Sequence, residues 1–324
     1  MLLSQADIQN LLQQLPLLTF DADRDLAFAR QPLARRYLAA YQLPAGDELP
    51  HGFGKLDVAG ERIATHYWLP RGAKATLVIL HGYYDHVGIF HKAIRFALDQ
   101  GYGVLAFDLP GHGLSSGEQA AIDSFHTYGD ILRELLIRAS ALLPQPFHAL
   151  GQSTGGAVIL NYLWRFGADE LAPKLDKVAL FAPLILPRGW HQGRFLFYLL
   201  KPFIRRFPRG GASSSHDSEF NRFVENGDPL QSRHLSLKWL SAMAAWHQFV
   251  LSSPPLQKTL LVVQGTGDRT VDWRYNLGVM AEKLPRAQVE LIEGAGHQLV
   301  NETPEYLEPL LAITRRFLGE DEEG

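Results

Sequence analysis

The stretch Phe147-His148-Ala149-Leu150-Gly151-Gln152-Ser153-Thr154-Gly155-Gly156 runs from an apolar segment through Gly-x-Ser-x-Gly into a run of small residues. A serine on a sharp strand-to-helix turn is held in the open, where its hydroxyl can attack a carbonyl carbon. Gly151 and Gly155 flank Ser153 because side chains there would collide with neighbouring backbone in so tight a turn. The pentapeptide alone is weak, since Gly and Ser are common residues. Its surroundings strengthen it: 145–150 reads as a buried strand, and 157–164 as the helix behind the turn.

Working outward, the same alternation repeats. Residues 51–58 and 63–69 read as a strand pair around Ala59-Gly60-Glu61. Continuous apolar runs at 75–80 and 102–107 read as strands covered on both faces. They end in His81-Gly82-Tyr83-Tyr84-Asp85-His86 and Asp108-Leu109-Pro110-Gly111-His112-Gly113. Helices are expected at 90–100 and 124–143, and a further strand at 176–181. After an interruption, strands at 259–264 and 288–292 and helices at 274–283 and 304–318 resume the pattern. Strands alternating with helices predict a mostly parallel central sheet with helices on both faces.

Four segments follow. Residues 1–45 carry leucines and aromatics at helical spacing and form a helical extension of one or two helices packed on the outside. Residues 46–183 and 255–324 are the two parts of an α/β core. Residues 184–254 break the rhythm and form a helical cap. They hold Phe195-Leu196-Phe197-Tyr198-Leu199-Leu200, a basic cluster (Arg194, Lys201, Arg205, Arg206, Arg209) and a small-residue linker at 210–215. The apolar run with its basic neighbours allows transient contact with a lipid surface. Pro202 interrupts the helix and favours the alternative, an apolar face closing over the pocket with its basic ends in solvent. Asp228 and Trp239 are read as anchors of the cap helices. Residues 320–323 are a solvated acidic tail.

Composition narrows the chemistry. The chain has 324 residues, 46% of them hydrophobic and 20% charged, which suits a globular enzyme. A net charge of -3 gives no basis for a nucleic-acid partner. There is no cysteine, which removes disulfides, a thiol nucleophile and thiolate metal sites. His86 and His91 lack a carboxylate cluster at ligand spacing, so no metal and no cofactor is expected. The N-terminus lacks a basic region and an uninterrupted apolar core, and no run approaches the ~18 apolar residues of a membrane span. A cytoplasmic protein is expected. Its oligomeric state has no signature.

A serine hydroxyl needs a base, and the base needs an orienting carboxylate. On a parallel sheet such groups gather in loops at the carboxyl ends of strands. His297, in Gly294-Ala295-Gly296-His297, follows the last strand. Asp268 follows the strand before it, with Asp272 as the alternative. The backbone N–H groups of Tyr83 and Thr154 are candidates for an oxyanion hole, and Gly82 lets the main chain approach the substrate. His81, Asp108 and His112 are read as loop scaffolding.

The order Ser153, Asp268, His297, with His81-Gly82 upstream and Asp108-x-x-Gly-His-Gly-x-Ser between, resembles the α/β-hydrolase superfamily. The His81-Gly82-x-x-x-His86 and Pro110-Gly111-His112-Gly113 loops look like its monoacylglycerol lipase and lysophospholipase branch, grouped with serine aminopeptidases of the prolyl type. The likeness spans residues 50–320. It implies Ser153 as nucleophile, His297 as base and Asp268 as orienter, acting on a small-molecule acyl ester through an acyl-enzyme. Tyr83-Tyr84 stand where relatives carry smaller residues, which implies a narrowed acyl site and short to medium chains. An aminopeptidase, with Glu219 or Glu225 holding a substrate ammonium, an acyltransferase and a non-catalytic binding protein are the alternatives.

Overall fold

Strands whose side chains are apolar on both faces need cover on both faces, and the chain supplies it with two separate cores. The computed structural model describes residues 3–46, 49–210 and 213–319. The acidic tail and two residues of the 210–215 linker lie outside them. Helices α1 (Gln5–Gln14), α2 (Ala22–Ala29) and α3 (Pro32–Ala40) come first. Then follow β1 (His51–Val58), β2 (Glu61–Trp68), β3 (Thr76–Leu80), α4 (His91–Asp99), β4 (Gly103–Phe107), α5 (Phe125–Ala139), β5 (Phe147–Gln152), α6 (Thr154–Phe166) and β6 (Leu175–Phe181). The intervening segment holds α7 (Trp190–Leu200), β7 (Arg206–Pro208), α8 (Ser218–Arg222), β8 (His234–Ser236) and α9 (Leu237–Ser252). The chain closes with β9 (Leu260–Gly265), α10 (Trp273–Lys283), β10 (Ala287–Ile292) and α11 (Pro304–Gly319).

Eight strands form one sheet in the order β1-β2-β4-β3-β5-β6-β9-β10. The β1–β2 and β2–β4 pairs are antiparallel, and all others are parallel. Strand β3 shows how both faces are used. Leu77 and Ile79 join the core under α3, α4 and α11, whereas Val78 and Leu80 join the core under α5, α6 and α9. That alternation is the period of two of a β-strand. Fully burying each such side chain contributes about 1.5–3 kcal/mol.

The N-terminal extension forms three helices rather than one or two, because Pro16 and Pro32 divide it. Pro32 stands at the start of α3, where a missing N–H is harmless. Residues 16–18 pair with β1 through Leu18 N–H to Lys55 O at 2.9 Å and Lys55 N–H to Pro16 O at 2.8 Å. The β1 edge of the sheet is thereby paired at Lys55.

The segment between β6 and β9 departs from the sequence reading in two ways. A two-stranded ribbon, β7 with β8, was not legible, because three residues per strand carry no periodicity. The apolar run of α7 does not close over the protein. Phe197 is buried, but Phe195 is 78% exposed and Phe203 just beyond the helix is 80% exposed. Leu196, Tyr198 and Leu199 are exposed as well. With about 3.6 residues per turn, Phe195, Leu196 and Leu199 share the side opposite Phe197.

A buried polar junction joins this segment to the rest. Asp228, 2% exposed, accepts from Tyr41 Oη at 2.7 Å, from His86 Nε2 at 2.8 Å and from Leu230 N–H at 3.0 Å. The Nδ1 of His86 accepts from Gly88 N–H at 3.1 Å, so the ring proton sits on Nε2, facing Asp228. Asp228 is an anchor, as read from the sequence. Removing it strands two buried side-chain donors and the Leu230 N–H, so Asp228→Ala is expected to cost about 3–5 kcal/mol in urea unfolding. Tyr41→Phe is expected to cost only about 1–3 kcal/mol. Equal midpoints for wild type and Asp228→Ala would contradict the junction.

Candidate active site

Ser153 lies between β5 and α6 with φ 54° and ψ −112°, a conformation costly for a side chain with a Cβ. The turn is held from both sides. Ser153 N–H donates to Phe181 O at 2.8 Å, and Leu184 N–H donates to Ser153 O at 3.1 Å. A Cβ on Gly151 would lie 2.6 Å from the carbonyl carbon of Gly155, and one on Gly155 would lie 2.3 Å from Leu80 O. Both glycines are required by close approach, as read from the motif.

The loops after β9 and β10 bring Asp268 and His297 to this serine. His297 Nε2 lies 2.9 Å from Ser153 Oγ, and its Nδ1 lies 2.7 Å from Asp268 Oδ2. The carboxylate fixes the proton on Nδ1, leaving Nε2 to accept from the serine hydroxyl. Asp268 Oδ1 accepts from Thr270 N–H at 2.7 Å and Val271 N–H at 3.1 Å. Asp272 instead caps α10, accepting from Tyr275 N–H at 3.4 Å. The structure therefore separates the two aspartates.

Burial disfavours the imidazolium of His297. The Asp268 charge, its hydrogen bond and the Asp85 charge outweigh that effect and hold His297 above its ordinary value of 6.5. Burial also opposes the Asp268 anion, but the facing imidazole and the two backbone donors keep its carboxyl below the usual range.

Two glutamines hold the pair in place and carry no sequence signature. Gln152 Nε2 donates to His297 O at 2.7 Å, and Gln264 Nε2 donates to Asp268 Oδ2 at 3.1 Å. Both are wholly buried. Each sits at the carboxyl end of its strand, Gln152 last in β5 and Gln264 last but one in β9.

The β3 loop lies directly beside the serine. A Cβ on Gly82 would sit 3.3 Å from Ser153 Cβ and 2.8 Å from Asp85 Oδ2. Among the described residues, no backbone carbonyl accepts from the N–H of Tyr83 or Thr154. His81 is scaffolding: its Nδ1–H donates to Gly82 O at 2.7 Å, and its Nε2 accepts from Leu109 N–H at 2.8 Å. Burial keeps that ring neutral, well below its ordinary pKa. Asp108 is scaffolding too, accepting from Val87 N–H at 2.7 Å and Leu114 N–H at 2.8 Å. His112 shares this role through Pro110 O at 2.9 Å.

Tyr83 and Tyr84 face the segment after β6. Tyr83 stacks on Trp239 with ring centroids 3.8 Å apart, and its hydroxyl donates to Ala120 O at 2.7 Å while accepting from Ser236 N–H at 3.2 Å. The Arg209 guanidinium lies 4.3 Å over the Tyr84 ring. Glu219 and Glu225 are exposed.

The electrostatics give a direct check. In NMR titration, the His297 ring should show a pKa above 6.5, and Asp268→Asn should lower it. A value at or below 6.5 in the wild type would count against the pairing.

Comparison with known proteins identifies the family. Residues 71–304 match the family model described as "Serine aminopeptidase, S33". The human "Monoglyceride lipase" is 26% identical over 272 residues, covering 80% of this chain and 86% of that protein. The rat protein of that name is 28% identical over 279 residues, covering 82% and 88%. Among solved structures, a soluble variant of monoglyceride lipase from Saccharomyces cerevisiae superposes with a TM-score of 0.70 at 17% identity, over 82% of this chain and 94% of that one. The monoacylglycerol lipase of Paleococcus ferrophilus gives 0.62 at 19% identity, over 79% and 98%. The chain belongs to the serine aminopeptidase S33 family and is an ester-hydrolysing α/β-hydrolase.

Proposed function

We propose that the protein cleaves acyl esters of small alcohols, of the monoacylglycerol or lysophospholipid kind, through a Ser153–His297–Asp268 triad. The observation that carries this reading is the continuous chain of contacts from Ser153 Oγ through His297 to Asp268. Ser153 Oγ bonds to the ester carbonyl carbon while its proton passes to His297 Nε2. The tetrahedral oxyanion is held by the N–H groups of Tyr83 and Thr154. As the carbon–oxygen bond to the alcohol breaks, His297 returns the proton to the leaving oxygen. A water then gives its proton to His297 and attacks the acyl-enzyme, restoring Ser153 and releasing the acid. The exposure of Glu219 and Glu225 favours esters over peptides, since neither offers a buried carboxylate to a substrate ammonium.

A fluorophosphonate should label Ser153, and Ser153→Ala should lose the label and nearly all turnover. A residual acceleration of roughly 10³–10⁴-fold over water is expected from the oxyanion donors and binding. An active, labelled Ser153→Ala protein would sink the assignment. Because His297 must be neutral to act as base and its pKa is held above 6.5, kcat/KM should rise with pH through an apparent pKa above 6.5. A profile flat across pH 5 to 9 would exclude a histidine base.

Residues 184–254 are proposed to cap the site and to rest on a lipid surface. The apolar side of α7 points away from the body of the protein, with Arg194, Lys201, Arg205 and Arg206 exposed around it. An apolar face rimmed by cations fits an anionic lipid interface, where ester substrates of this kind reside. The protein should co-sediment with vesicles containing phosphatidylglycerol, and Phe195→Ser with Phe203→Ser should abolish that. Equal binding by the double variant would remove the lipid surface from the proposal.

A further inference from the structure

Glu302 is a fully buried carboxylate five residues beyond His297, and the chemistry above does not use it. Its oxygens are taken up by two segments that are distant in the chain. From the loop carrying the base, Gly296 N–H donates to Oε1 at 2.8 Å. From the segment between β6 and β9, His216 N–H donates to Oε2 at 2.8 Å and His216 Nδ1–H to Oε1 at 3.0 Å. The Ser215 hydroxyl lies 3.2 Å from Oε2 and 2.9 Å from Asn301 O. A parallel bond runs from Gln298 N–H to Ser214 O at 2.8 Å.

The Gly296 peptide immediately precedes His297. Holding that peptide limits where the side chain that must reach Ser153 Oγ can start. The fit is close: a Cβ on Gly296 would lie 2.7 Å from Glu302 Oε1 and 2.9 Å from Ser214 O. A carboxylate buried without a lysine or arginine partner is costly unless its acceptor sites are filled. Here they are filled jointly by the base loop and by residues 215–216, so neither segment alone satisfies it.

We propose that Glu302 is a positioning residue that couples the alignment of His297 to the docking of residues 214–216. Lifting that segment removes both His216 donors and the Ser215 hydroxyl beside the carboxylate, and the base loop loosens with it. Movement of the cap and assembly of the catalytic pair are then one event. This rests on the reading of His297 as base.

The test uses the full chain with a small soluble aryl acetate, so that lipid contact plays no part. In Glu302→Ala, kcat should fall on the order of 10²-fold with little change in KM, the scale set by an ångström-sized misplacement of a reacting group. The rate of fluorophosphonate labelling at Ser153 should fall in proportion, while the melting temperature stays above the assay temperature. Glu302→Gln keeps the size and one acceptor oxygen and should recover part of kcat. His216→Ala, at a half-exposed site, should give a smaller fall of the same kind and add nothing in the Glu302→Ala background. If Glu302→Ala does not fold, Glu302→Gln and His216→Ala decide: lowered kcat at unchanged melting temperature supports the coupling, and wild-type kcat overturns it. A folded Glu302→Ala with wild-type kcat, or independent losses in the double variant, also overturns it. His297→Ala separates the two readings. If it retains turnover, the base assignment fails; if it is dead while Glu302→Ala is normal, only the coupling fails.

Discussion

The turn at Ser153 is the constraint on which the rest of the structure depends. A serine at φ 54° and ψ −112° is unfavourable in isolation and persists only where its surroundings over-determine it. Two backbone bonds to the β6 end, two glycines without room for a methyl group and the helix behind the turn do so here. These come from β5, α6 and the end of β6, with Leu80 of β3 against Gly155, so the turn is held only when those neighbouring elements have assembled. The placement of the hydroxyl beside His297 is a consequence of that assembly.

Buried carboxylates recur at the carboxyl edge of the sheet, each tying separate loops together. Asp108 gathers Val87 and Leu114. Asp268 gathers Thr270, Val271, Gln264 and His297. Asp228 joins the N-terminal extension, the loop after β3 and the segment after β6. Glu302 joins the base loop to residues 215–216. Backbone N–H groups in irregular loops must be paired when buried, and an acid with several lone pairs satisfies more of them than a neutral group does. The same devices that satisfy the loops also orient the chemistry.

Much of this was legible in the sequence. The apolar runs at 75–80, 102–107 and 259–264 gave strands within a residue or so of those observed, because a strand buried on both faces has no other composition. Ser153, Asp268 and His297 follow strands directly, and their chain order placed them in loops at one edge. Gln152 and Gln264 were missed, because a glutamine in a buried strand looks like any polar exception until its partner is known. For Gln152 that partner is 145 residues away, and for the His86–Asp228 pair the separation is 142 residues. Periodicity carries no information at that range. The orientation of α7 was missed for a different reason. An amphipathic pattern says that one face differs from the other, not which of them meets the protein, and within the run 195–200 Phe197 is the buried residue.

The central claim is that Ser153 carries the acyl group through the reaction. Peptide mass spectrometry on protein quenched in acid during turnover of an aryl ester measures this directly. The expected result is an acyl mass increment on the peptide containing Ser153, localised to that residue and lost when the substrate is exhausted. Turnover with no adduct, or an adduct on another residue, would contradict it.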